Sequence, residues 1–231
     1  MSLMQHLAGV SPRLIQIHMT NCLLVPAFSF ATSLLSWEDH YGENVFQKRF
    51  KLDYIRAESL GSQLGAESVA LDGIKRKTSK SGEEWMAKFK HLTRSQQALL
   101  LPAGVKIWQR PPWPPDTGVE QEELYKILGV LGRFKIWEDE CEFVPFYEDD
   151  GAVSGQPSSV LIGTYRRSGK VLAIFGNLTG DEVRFPLSVD RARLKLARTA
   201  APIDAETNSP LLDGVVTIAP YDVRLVLIYT P

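Results

Sequence analysis

The stretch SVLIGTYRRSGKVLAIF, residues 159–175, carries the clearest structural signal in the chain. Two apolar runs, residues 159–165 and 171–175, flank a short polar segment that contains Gly169. β-Branched and aromatic side chains favour strands, and glycine readily adopts the positive φ that a tight turn requires. The stretch therefore predicts a β-hairpin.

The apolar pattern continues with a period of two on the carboxyl-terminal side of this hairpin. It predicts further strands over residues 183–187, 192–196, 214–218 and 223–229. Six short strands with this spacing are typical of an antiparallel β-sandwich rather than of repeated βα units. We therefore predict a small sandwich domain over residues 151–231, with its boundary in the Gly- and Ser-containing segment 151–157.

Residues 1–150 show a different pattern, in which strands alternate with helices. Short apolar runs predict strands over residues 13–18, 67–71 and 105–108. Helical periodicity covers residues 52–64 and 119–131, with Gly132 expected to end the second helix, and residues 83–101 predict one or two more helices. The fold class is thus α/β plus all-β: a partial (β/α) barrel-like region followed by a small antiparallel β-sandwich. A whole eight-stranded barrel needs about 250 residues, so we expect only part of one here.

Composition excludes several classes of function. The 26 basic and 27 acidic residues give a net charge of −1, which offers no electrostatic footprint for nucleic acid. We expect the short basic clusters, such as Arg166-Arg167, to lie in solvated loops. No apolar run approaches the roughly 20 residues of a membrane-spanning helix. Cys22 and Cys141 lack CxxC spacing, and no HxH or HExxH motif occurs, so we expect no metal and no cofactor.

Residues 37–41, WEDHY, combine the side chains that glycoside hydrolysis uses. The reaction needs two carboxyl groups beside the scissile bond, with aromatic rings to hold the sugar faces. Trp37 or Tyr41 would stack on a sugar, and Glu38 and Asp39 are candidate acids, bases or hydroxyl ligands. The alternative interpretation is a polar loop whose aromatic rings pack at its base.

Three further polar residues follow predicted strands, where a barrel places its active-site side chains. His18 and Asn21 come at the end of the first strand, and Asp72 follows the strand 67–71. Asparagine amides and histidine rings suit sugar hydroxyls or an acetamido group. Each residue also fits a structural polar turn, so both interpretations stay open.

Short motifs occur along nearly the whole chain. The motifs in the first third are His18-Met19-Thr20-Asn21, Val25-Pro26, Ser29-Phe30-Ala31, Trp37-Glu38, Phe46-Gln47, Arg49-Phe50 and Arg56-Ala57-Glu58-Ser59-Leu60-Gly61. The later ones are Thr93-Arg94-Ser95, Phe143-Val144-Pro145-Phe146-Tyr147, Tyr165-Arg166-Arg167-Ser168-Gly169-Lys170 and Gly176-Asn177-Leu178. Together these motifs resemble glycoside hydrolase family 123-like proteins, in the later half of the catalytic domain and its tail.

The resemblance implies a (β/α) barrel with a carboxyl-terminal β-sandwich. It also implies exo-acting hydrolysis of N-acetyl-hexosaminides, with the substrate's acetamido group as nucleophile and an acidic pair assisting. That pair matches no position here, and we expect it on an earlier strand, upstream of Met1. The family pattern leads us to expect an acidic or histidine residue after the strand-like Leu99-Leu100-Leu101, where this chain has Pro102.

The sequence thus predicts the carboxyl-terminal portion of a glycoside-hydrolase-like protein that binds carbohydrate and is inactive as an isolated chain. The missing first half of the barrel is an expected partner. Two rival hypotheses remain: a non-catalytic carbohydrate-binding module, with Trp37, Trp108, Trp113 or Tyr165 as its stacking platform, and a purely structural module that binds nothing.

Overall fold

The computed structural model describes residues 15–18, 31–36, 52–58, 67–71, 93–108 and 119–230. Its first part contains a four-stranded parallel sheet with strands in the order of the sequence. These strands are β1 (Gln16–His18), β2 (Ser33–Ser36), β3 (Glu67–Leu71) and β4 (Lys106–Trp108). Three helices alternate with them or follow them: α1 (Leu52–Glu58), α2 (residues 93–100) and α3 (Val119–Phe134).

The strand order identifies the sheet as an arc of a barrel. In a (β/α) barrel each strand pairs with the next one along the chain, whereas a doubly wound sheet reverses its order at a switch point. Ala70 and Ile107 are register partners and belong to a buried cluster with Ile55 of α1 and Leu99 of α2. Helices therefore cover one face of the sheet, as they cover the outside of a barrel.

The second part of the chain is antiparallel. Its strands are β5 (Glu142–Val144), β6 (Val153–Ser154), β7 (Val160–Arg167), β8 (Lys170–Asn177), β9 (Val183–Pro186), β10 (Ser188–Val189), β11 (Ala201–Asp204), β12 (Val215–Ile218) and β13 (Val223–Tyr229). A five-stranded sheet has the order β11-β13-β8-β7-β5, and two pairs of strands, β12-β9 and β10-β6, accompany it. Short 3₁₀ turns occupy Leu101–Ala103, Phe146–Glu148 and Leu212–Gly214.

Successive side chains of a strand point to opposite faces of its sheet. In the five-stranded sheet, side chains on both faces belong to buried clusters. On β8, Val171, Ala173 and Phe175 pack into a cluster with Phe185 of β9 and Val216 of β12, which forms the interior of the sandwich. The intervening side chains of β8, Leu172 and Ile174, pack instead against α2 and α3. The predicted fold class, a partial barrel followed by an antiparallel sandwich, is therefore confirmed.

Two glycines let the backbone of the α2 region lie directly on the sheet. A Cβ atom at Gly163 of β7 would stand 2.7 Å from the carbonyl oxygen of Pro102, and one at Gly176 of β8 would overlap the carbonyl oxygen of Ala98. Real Cβ atoms do not approach backbone oxygens so closely, so any larger residue would force the α2 region away from the sheet.

Arg94 ties α2 to α3 and to the antiparallel sheet. Its guanidinium donates to Glu123 of α3 at 3.1 Å, to Glu206 at 3.0 Å, to Asp222 and to the carbonyl oxygen of Val223 at 2.7 Å. Burial alone would lower the pKa of Arg94, but Glu206 and Asp222 raise it, so the group stays charged. One buried cation thus holds three carboxylates from separate parts of the chain.

A second ion pair involves the basic cluster Arg166-Arg167, which the sequence led us to place in a solvated loop. That expectation is wrong, because both arginines lie at the end of β7. Arg166 forms a bidentate pair with Asp150 at 2.7 and 2.8 Å, and Arg167 pairs with Glu138 and Glu140. The hydrogen bond from Arg166 holds the pKa of Asp150 well below its usual range.

This ion pair predicts an acid-sensitive contribution to stability. The pKa of Asp150 is lower in the folded state than its unfolded value of about 3.9. The ionised carboxylate therefore stabilises the fold fully above about pH 3.9, and this stabilisation is lost as the pH falls toward the folded-state pKa. We expect Asp150→Asn to lower the melting temperature at neutral pH and to flatten its fall below about pH 4. Circular dichroism melts from neutral pH to about pH 2 measure this; parallel curves for the two proteins would contradict it.

Several boundaries differ from the prediction for identifiable reasons. Gly132 lies inside α3, which continues to Phe134 and ends where Lys135 adopts a φ of 63°. Leu99 and Leu100 belong to α2, and Leu101 begins a 3₁₀ turn, so the strand-like interpretation of these leucines is wrong. Residues 192–196 form turns rather than a strand, with Lys195 at a φ of 53°.

Asn177-Leu178-Thr179 has the spacing of a glycosylation acceptor, and the structure places it at the turn that follows β8. The side chain is fully buried; its Nδ2 donates to the carbonyl oxygens of Asp181 and Ala219, and its Oδ1 accepts from the backbone and hydroxyl of Thr179. The nitrogen that would carry a glycan is therefore already bonded inside the protein.

Candidate functional site

The carboxyl-terminal ends of β1–β4 lie at one edge of the parallel sheet, because all adjacent pairs are parallel. This is the edge at which (β/α) barrels carry their active sites. The strands end at His18, Ser36, Leu71 and Trp108. The structure thus provides the edge that the sequence analysis assigned to the candidate residues.

Of the predicted site residues, His18 is the one that lies within the described residues. It is the last residue of β1, it is exposed, and its register partner is Leu35 of β2. Leu35 forms a small buried cluster with Val69, its partner on β3, separate from the cluster that faces the helices. His18 therefore lies on the sheet face opposite the helices, which is the interior side of a barrel.

The other predicted site residues are Asn21, Trp37, Glu38, Asp39, Tyr41 and Asp72, and they lie outside the described residues. Trp37 follows the last residue of β2 in the sequence, and Asp72 follows the last residue of β3. Their assignment to a sugar site stays a prediction.

The interior side of the sheet also carries an ion pair that the sequence analysis missed. The Lys106 ammonium of β4 donates a hydrogen bond to the carboxylate of Glu67 of β3. The register partner of Lys106 is Val69, which lies two residues after Glu67 and therefore on the same face of the sheet. Both residues begin their strands, at the end opposite to His18. Residues at the amino-terminal end of barrel strands support stability, so this pair is suited to holding β3 and β4 together. The signal in the sequence was the period of two that places Glu67 and Val69 on one face.

Two other side chains bear on the rival hypotheses. Tyr165 is only 3% exposed and its ring centroid lies 4.5 Å from that of Phe143, so it offers no platform for a sugar. Burial also raises its pKa. Cys141 carries a free thiol, and burial raises its pKa, which makes it a poor nucleophile. The side chains of Trp108 and Trp113 lie outside the described residues.

No group of three or more His, Cys, Asp or Glu side chains that could hold a metal ion occurs within the described ranges. Among the helices of those ranges, none has the length and apolar character needed to cross a membrane.

Several solved structures of glycoside hydrolases have a similar fold. A noncanonic maltogenic α-amylase, AmyB, from Thermotoga neapolitana gives a TM-score of 0.54 at 9% identity, over 98% of this chain and 57% of that one. The trehalose-6-phosphate hydrolase of Bacillus licheniformis gives 0.54 at 10% identity, over 98% and 58%. A GH27 β-L-arabinopyranosidase from Geobacillus stearothermophilus gives 0.52 at 8% identity, over 99% and 61%.

These likenesses concern the fold. No protein-family model matches the chain, and no curated protein matches it. The chain spans about three fifths of the length of the solved structures named above. It thus shares with them the succession of parallel strands, helices and antiparallel sheet that we describe, over nearly all of its own length.

Proposed function

We propose that this chain is the later part of a glycoside-hydrolase-like protein and that it binds carbohydrate at the carboxyl-terminal edge of β1–β4. The observation that supports the proposal most strongly is the sequential parallel order of these strands, followed by an antiparallel sandwich. The solved arabinopyranosidase with this arrangement is in complex with arabinose, and an α-amylase from Geobacillus thermoleovorans, with a TM-score of 0.54 at 9% identity, is complexed with acarbose.

The candidate residues give the site its proposed chemistry. The imidazole of His18 would exchange hydrogen bonds with sugar hydroxyls, and Asn21 and Asp72 would bind hydroxyl or acetamido groups. Trp37 and Tyr41 would stack on the apolar face of a sugar ring. Glu38 and Asp39 are the candidate carboxylates, in supporting roles. The resemblance to family 123-like proteins names N-acetyl-hexosaminides as the substrate class.

We propose that the isolated chain does not catalyse glycoside hydrolysis. Glycoside hydrolysis needs a pair of carboxyl groups held at a fixed separation across the scissile bond. The acidic pair that the family resemblance implies matches no position of this sequence, so the whole protein, with a complete barrel, would be the enzyme. The first half of the barrel is accordingly the proposed partner.

Calorimetric titration with N-acetylglucosamine and N-acetylgalactosamine tests this proposal. We expect Trp37→Ala to weaken the affinity about tenfold, because the stacking ring is lost. The control is Tyr125→Ala, which removes an aromatic ring that is 56% exposed on α3. We expect that change to leave the affinity as it is, and we expect no turnover of aryl N-acetyl-hexosaminides by either protein.

The outcomes separate the rival hypotheses. Turnover by the isolated chain would contradict its proposed inactivity. Equal affinities for the Trp37 variant and the parent protein would contradict the stacking role of Trp37. If no sugar binds at all, a purely structural module becomes the better account.

A further inference from the structure

A groove of about 420 Å³ lies on the sandwich, and none of its lining residues belongs to the parallel sheet. It is formed where the tip of the β7–β8 hairpin meets the turns of residues 192–196. Its polar lining includes Glu142, Arg166, Ser168, Arg193 and Lys195. Small-molecule sites in proteins have volumes from about 300 Å³ upward, so the groove is large enough for a small ligand.

The charges around the groove largely cancel. Arg166 and Arg193 share the carboxylate of Asp150, at 2.7 and 3.1 Å, and Arg167 is paired with Glu138 and Glu140. Paired guanidinium groups leave little net positive field to attract a phosphate or sulfate ion. The groove is therefore not built as an anion site, despite its arginines.

The groove nevertheless presents donors and acceptors side by side. Arg166 uses three of its five N–H groups on Thr164 and Asp150, which leaves two for a ligand. Within the described residues the Lys195 ammonium, the Ser168 hydroxyl and the Glu142 carboxylate form no side-chain hydrogen bond. A hydroxyl group both donates and accepts, so a neutral polyhydroxy molecule can satisfy such a mixed set.

The backbone at Lys195 adds a second observation. Its φ of 53° lies in the left-handed region, which non-glycine residues adopt at a cost. Lys195 thus keeps a long cationic side chain at a position where glycine would be less strained.

We propose that this groove is a second carbohydrate-binding site, one that binds the hydroxyl groups of a neutral sugar through Lys195, Ser168, Arg166 and Glu142. The choice of sugar as the ligand rests on the proposed function of the chain. The site itself is separate from the edge of the parallel sheet, and one site can exist without the other.

Heteronuclear NMR titration of the whole chain with neutral mono- and disaccharides tests the inference. We expect the amide signals of Ser168 and Lys195 to shift as the sugar is added. Lys195→Gly removes the ammonium and relieves the strain, so the fold is preserved while affinity at this groove falls about tenfold. Asp213→Gly is the matched control, because Asp213 also has a positive φ, of 52°, and does not line the groove.

Two results would overturn the inference. One is equal affinity at the groove for the Lys195 and Asp213 variants. The other is a shift of the groove signals with inorganic sulfate but not with any sugar, which would make it an anion site. The amide of His18 reports on the edge of the parallel sheet in the same titration. Shifts at the groove without shifts at His18 would support the second site while contradicting the proposed first one, and the reverse pattern would do the opposite.

Discussion

Replacing Gly176 with alanine is expected to lower the free energy of unfolding by about 3 kcal/mol, the upper part of the usual range for overpacked cores. The new Cβ atom would overlap the carbonyl oxygen of Ala98 and lie 2.7 Å from its carbonyl carbon. These are backbone atoms of α2, so no side chain can rotate away to make room. The helix itself would have to move off the sheet, opening the contact between the barrel arc and the sandwich.

Urea unfolding monitored by circular dichroism measures this effect. Gly129→Ala is the control, since a Cβ there meets only the flexible end of Arg133, at 3.5 Å. Because alanine is favoured over glycine inside a helix, we expect that variant to be more stable by about 0.5–1 kcal/mol. A Gly176 variant as stable as the parent protein would show that α2 does not lie against β8.

The second large effect is expected at Arg94. Its side chain is 11% exposed and Glu123 is 5% exposed, so Arg94→Met would remove the buried cation from Glu123 and leave it the pairing with Lys126, whose side chain is 45% exposed. Removing one partner of a buried ion pair costs about 3–5 kcal/mol. We expect a loss near 3 kcal/mol, because Glu206 and Asp222 keep some contact with solvent, with exposures of 14% and 24%.

A double-mutant cycle isolates the interaction. Arg94→Met combined with Glu123→Gln should lose clearly less stability than the sum of the single variants, because the buried carboxylate that lost Arg94 is then replaced by a neutral amide. Arg94→Lys should be intermediate, since an ammonium group keeps the charge but cannot serve three carboxylates in the fixed geometry of a guanidinium. If Arg94→Met unfolds at the same urea concentration as the parent protein, Arg94 does not hold the two parts of the fold together.

The features predicted well from the sequence are those set by local pattern. Gly169 has a φ of 74° in the predicted hairpin, and the alternation along β8 sends Phe175 into the sandwich and Ile174 toward the helices. Ser168 and Gly169 mark where β7 ends and β8 begins, because they interrupt the two apolar runs. The fold class could be predicted for this reason.

The features missed depend on contacts between distant residues. β11 has the sequence APID, and its Pro202 argues against a strand, but β11 is the edge strand of its sheet, next to β13, where a proline is tolerated. Residues 192–196 alternate between polar and apolar side chains as a strand does, but they form no strand. Leu194 and Leu196 belong to the buried core although they lie in an irregular segment. The sequence predicted a loop at Arg166, because it does not show that Asp150, sixteen positions earlier, forms an ion pair with this arginine. Such partners cannot be identified from sequence spacing.

The sequence predicted strands whose ends share one edge of a sheet, and the assignment of a sugar site to that edge stays a prediction. Short runs ending in His18 and Leu71 indicated strands, and parallel strands bring their ends to one edge. The ion pair between Glu67 and Lys106 was missed because 39 residues separate the two side chains. The groove at Lys195 was missed because its lining comes from a hairpin tip and a turn that the sequence does not bring together.

The most direct test of the proposed carbohydrate site is a heteronuclear NMR titration of the chain with N-acetyl-hexosamines, repeated for Glu38→Gln. We predict shifts in the amide signals of the last residues of β1–β4, little change at the first residues of the same strands, and weaker shifts in the variant. A dispersed spectrum in which no sugar perturbs the ends of these strands would contradict the account and leave the barrel arc with a structural role.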